Sequence, residues 1–112
     1  MEPISNLPMK IRELLFYALD ILIKDGARGC AKKGFLEKKY VDYVDELYQV
    51  YGGKFRLPPP NAPMFLIMVD DNTYYIEIPL WIEGENEPSE LFAHMEINSK
   101  TKKIKLASFL VP

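Results

Sequence analysis

Apolar residues return at helical spacing near the start of the chain and at strand spacing near its end. In "SNLPMKIRELLFYALDILIKDGARG", Ile11, Leu14, Leu15, Ala18 and Leu22 fall on one face of a 3.6-residue period, which predicts a helix. Ser5 or Asn6 supplies an N-terminal cap, and Pro8 fits the first turn, where its missing N–H is not needed. Gly26 suits the left-handed residue that ends a helix, and "ARGCAKKG" after it reads as a loop. A second helix is expected from about Leu36 to Tyr51. Leu36, Tyr40, Val44 (or Tyr43), Leu47, Tyr48 and Tyr51 form its broad apolar face, and Gly52-Gly53 stops it.

"KFRLPPPNAP" holds four prolines, which fix φ and delete backbone donors. It therefore reads as an extended connector and not as a strand interior. Beyond it the period changes to two. "MFLIMV" is a short apolar run and "DDNT" is turn chemistry. In "YYIEIPLW", Tyr74, Ile76, Ile78 and Leu80 share one face, with Tyr75, Glu77, Pro79 and Trp81 on the other. "EGENEPSE" is a loop. "LFAHMEI" alternates again, with Leu91, Ala93, Met95 and Ile97 opposite Phe92, His94 and Glu96. "NSKTKK" turns, and "IKLASFLV" completes the pattern.

The order is α-α-β-β-β-β. Short turns between sequential strands favour an antiparallel meander, and two N-terminal helices covering one face make the class α+β. Tyr75, Trp81, Phe92, Phe109 and Val111 remain for the second face, more apolar surface than water calls for. The sheet is therefore expected to curve around a second small core, or to meet a partner there.

Length changes this picture little: 112 residues make one domain, 1–112, with a single core. No apolar run approaches the ~18 residues of a membrane span. "MEPISNLPMK" lacks the basic flank and apolar stretch of a signal peptide. The single cysteine, Cys30, fits a reducing compartment, so a cytoplasmic location is expected. One cysteine and one histidine, His94, do not make a structural zinc set.

Charge changes it more. Residues 1–60 carry 10 bases and 8 acids, while residues 61–112 carry 4 bases and 8 acids. The acidic half argues against nucleic acid and for a basic partner. Lys32, Lys33, Lys38 and Lys39 form one basic cluster, and Lys100, Lys102, Lys103 and Lys105 another. The second lacks the interleaved aromatics of a nucleic-acid site and reads as protection of an edge strand.

Candidate chemistry is sparse. A Cys30–His94 dyad is weighed and set below an inert thiol and a strand histidine bonded to Glu96 or a neighbouring strand. Glu83, Glu85, Glu87 and Glu90 lack the ligand spacing of a calcium loop, and no phosphate-binding glycine loop is present. No enzyme activity, metal or cofactor is expected. The same four glutamates beside Trp81, the only tryptophan, read better as a docking surface, because tryptophan anchors interfaces and acids at the rim speed association with a basic partner.

The stretch from about Val44 to Leu91 resembles a family of small bacterial proteins of unknown function. The resemblance rests on Tyr51-Gly52, "LPPPNA", Pro79-Leu80-Trp81, Glu83-Gly84 and Ser89-Glu90-Leu91. The chain departs from that family at Ile82, where a threonine is usual, and at Pro88, where an arginine is usual. It also closes in "LASFLVP" in place of an acidic pair followed by Ile-His. The resemblance implies a cystatin-like or nuclear-transport-factor-like shape. Such folds host ligand pockets, inhibitors and toxin-immunity proteins alike.

The expected function is thus a non-enzymatic bacterial binding protein, most concretely an immunity protein against a basic toxin. Trp81, Glu83, Glu85, Glu87 and Glu90 are its partner-binding residues. The alternative is a small-ligand or enzymatic domain with a pocket between helices and sheet, lined by Tyr17, Tyr48, Tyr75 and His94. A homodimer through the second sheet face is a third option.

Overall fold

The computed structural model describes residues 7–50 and 54–110. The architecture is α+β, with helices on one face of an open antiparallel sheet. Helix α1 spans Met9–Lys32 and buries Ile11, Leu15, Ala18, Leu19 and Leu22. Pro8 stands at its N-cap position without a side-chain cap, while Ser5 and Asn6 lie outside the described residues.

Gly26 does leave helical geometry, at φ 70° and ψ −166°, a region open essentially to glycine. The expected end of the helix is nevertheless corrected: helix resumes beyond the kink and runs to Lys32. The physical reason is burial, because Ala27 and Cys30 are three residues apart and continue the apolar face into the core. A 3₁₀ turn over Lys38–Tyr40 leads into α2, Val41–Val50. Leu36 and Val44 are buried there as expected, but Tyr40 and Tyr43 face solvent and Tyr51 lies outside the described residues.

The sheet has five strands where four are expected. The extra one is β1, Phe55–Arg56, a two-residue edge piece ahead of the prolines, paired with Ile82 and Trp81. Pro58 to Pro60 end it, since they cannot donate to a ladder. The Arg12 guanidinium donates to the Pro60 carbonyl, which ties this connector to α1. The remaining strands are β2 (Phe65–Asp70), β3 (Thr73–Ile82), β4 (Pro88–Asn98) and β5 (Ile104–Leu110). Strands β1 and β2 lie end to end along one edge of β3, β4 lies along the other, and β5 forms the far edge.

The core is apolar throughout, with no buried polar or charged side chain among the described residues. Ile76, Ile78 and Leu80 of β3 meet Leu91, Ala93, Met95 and Ile97 of β4 and the buried stripe of α1. Phe109 belongs to this core and not to the second face. The cause is a bulge: His94 pairs with Ser108 but Met95 pairs with Leu106, so Ala107 is an extra residue that reverses strand parity. Val111 lies outside the described residues.

Candidate protein-binding surface

Strand β3 delivers Trp81 to the second face next to Arg56 of β1 on one side and Pro88 of β4 on the other. The Arg56 guanidinium lies over the indole ring, 4.9 Å from its centroid, close enough for a cation–π contact. Trp81 is consequently only 7% exposed. Its indole N–H is buried and has no acceptor among the described residues. It stands apart from the main core cluster.

The acidic loop begins just past Trp81. Gly84, at φ 88°, makes the turn after β3, and the Glu85 N–H donates to the Ile82 carbonyl at 3.1 Å. The Glu83 N–H donates to the Lys54 carbonyl at 2.8 Å. Arg56 donates to the Glu85 carbonyl at 3.0 Å while covering Trp81. One arginine therefore joins β1, the tryptophan and the loop backbone. Past the loop, the Leu91 N–H donates to the Ser89 hydroxyl at 3.2 Å where the β3–β4 register shifts.

Glu83, Glu85, Glu87 and Glu90 are all exposed, and none forms an ion pair among the described residues. No three of the described His, Cys, Asp and Glu residues stand close enough to hold a metal ion. Arg56 was not foreseen as part of this surface. Its sequence signal is weak, one of two bases with Lys54 in the connector, and the antiparallel pairing that seats it on Trp81 is a tertiary fact.

The other candidates separate. Cys30 is buried in the core, and burial with the nearby Asp25 carboxylate pushes its thiol up to about 11. His94 sits on the opposite sheet face, its Nδ1 3.6 Å from Glu77 Oε1 on β3, with the Tyr75 ring 6.4 Å away. The two cannot form a dyad. A groove of about 520 Å³ lies between Gly34–Glu37 and the β4–β5 hairpin, but neither Tyr17, Tyr75 nor His94 lines it. No described helix is long and apolar enough to cross a membrane.

Comparison with protein families, with characterised proteins and with solved structures finds no match. What this surface can do must be read from its own chemistry.

Proposed function

We propose that the protein is a non-enzymatic binding protein whose β3–β4 end docks a basic protein partner, most concretely as an immunity protein against a basic toxin. One observation carries this reading. Four exposed, unpaired glutamates stand together at this end of the sheet: Glu83, Glu85 and Glu87 on a loop whose first residues are held by Lys54, Ile82 and Arg56, and Glu90 at the start of β4. Charges fixed on an ordered scaffold lose little freedom on binding, and a cluster of one sign steers a partner of the other. Trp81 serves from beneath, by seating Arg56, and Glu83, Glu85, Glu87 and Glu90 supply the contact charges. The apolar core and the separation of Cys30 from His94 support a binding role over a catalytic one.

The test uses the full chain as bait in an extract of its source organism, beside the variant E83Q/E85Q/E87Q/E90Q. A basic protein held by the wild type at low salt and lost from the folded variant is the expected result. Equal retention by both refutes the acidic surface. The captured protein should arrest growth when expressed alone and be neutralised by co-expression of this chain; a harmless partner removes the immunity reading and leaves the docking one.

A further inference from the structure

The two long edges of the sheet are built differently. The β5 edge is guarded: Lys103 and Lys105 flank or occupy it with exposed charges, and the Leu106 N–H is already taken by the Phe35 carbonyl at 2.7 Å. Ala107 bulges there as well. Lysines, bulges and covering segments are the usual means of keeping an edge from pairing.

The β2 edge has one of these devices at most. From Phe65 to Val69 it carries no charge, and Ile67, Met68 and Val69 are consecutive apolar residues 41%, 48% and 49% exposed. Its inner side pairs with β3, with Ile67 bulged out of register between Leu66 and Met68. Its outer backbone N–H and C=O groups have no backbone partner among the described residues. A row of free backbone groups flanked by apolar side chains fits one kind of occupant, another extended strand.

The charges select which strand and which direction. Acids stand only at the end of β2, at Asp70 and the following Asp71. Parallel self-pairing would set each Asp70 about 5 Å from its equivalent. Antiparallel pairing about a two-fold axis near Ile67 places Phe65 beside Val69 of the second copy. It separates the two Asp70 carboxylates by roughly 20 Å, beyond the ~8 Å over which salt screens charge. The uncharged run offers a foreign basic or acidic strand nothing to select, and it is compatible with itself.

We propose that the protein forms a two-fold symmetric dimer through antiparallel pairing of β2 with β2 of a second copy, giving one continuous sheet across two molecules. The guarded β5 edge stops growth at two. A six-residue strand pair is smaller than a standard interface, so the dimer is concentration-dependent. It leaves the β3–β4 acidic end free and stands independently of the function proposed above.

Sedimentation velocity of the full chain, from low micromolar to several hundred micromolar, should show a monomer–dimer equilibrium. M68K and V69K place a charge where side chains are already half exposed, and should weaken dimerisation at least about tenfold while circular dichroism stays unchanged. Y43K, on the exposed face of α2, should leave it intact. I67C should give a disulfide-linked dimer on mild oxidation, whereas Y43C should not. A wild type that stays monomeric throughout overturns the proposal and returns the edge to a foreign strand. Dimers unaffected by M68K in a folded protein, or open-ended polymers, overturn it equally.

Discussion

At the scale of single residues, Trp81 carries an internal conflict. Its ring gains a cation–π contact with Arg56, yet its N–H is buried without an acceptor among the described residues. Leaving a buried donor unpaired costs about 1–3 kcal/mol. Trp81→Phe removes that donor and keeps a ring for Arg56, so the gain offsets much of the lost area and the net change should stay near 1 kcal/mol. Trp81→Ala removes a nearly buried ring and should cost about 3–5 kcal/mol. Urea unfolding followed by circular dichroism orders the two; a Trp81→Phe loss well above that value would mean that the indole N–H is paired in the folded chain. Strand alternation alone places Trp81 opposite Leu80. That it is covered depends on Arg56, 25 positions earlier in the chain, which no local pattern reveals.

At the scale of elements, the kink in α1 has consequences of its own. Gly26 turns the chain at positive φ, and the turn brings the Asp25 side chain against Gly29: a Cβ added at Gly29 would run into Asp25 Cβ. Gly29→Ala would be favourable in an ordinary helix by up to about 1 kcal/mol. Here it should destabilise instead, by roughly 1–3 kcal/mol, because closely packed atoms must move apart. Gly34→Ala, which meets nothing within 4 Å although its φ is 80°, should cost only the backbone strain. Thermal unfolding of the two variants gives the comparison, and a stabilised Gly29→Ala would show that the kink is not held in solution. Periodicity exposed most of this architecture: the α1 stripe and the alternation of β3 and β4 can be read directly. The end of α1 could not, because glycine signals a break in helical geometry without saying whether the chain resumes. Strand β5 lay between these cases. Ile104, Leu106 and Phe109 are spaced two and then three apart, a pattern that one strand face cannot carry without the bulge at Ala107.

At the scale of the whole molecule, the purely apolar core links stability to pH through Cys30. Its thiol is raised from the ordinary value near 9 to about 11, first by loss of hydration and then by the Asp25 carboxylate. Below pH 9 the folded and unfolded chains both hold the proton, and the contribution of burial is fully present. Between about pH 9 and 11 the unfolded chain releases the proton while the folded chain keeps it. The unfolded state is then favoured by about 1.4 kcal/mol per pH unit, reaching roughly 3 kcal/mol across the window. A domain of this size has on the order of 5–15 kcal/mol to lose, so the effect is measurable. The urea midpoint should fall more steeply over this range in the wild type than in Cys30→Ala. Every other ionisable group is common to both proteins and cancels in the difference. Alkylation supplies the second reading: at pH 8 iodoacetamide should modify Cys30 only as fast as the chain unfolds, and labelling at the rate of a free thiol would place it outside the core. The lone cysteine was legible in the sequence as an inert thiol, but the burial behind that inertness was not. It depends on α1 continuing past Gly26 and turning Cys30 inward.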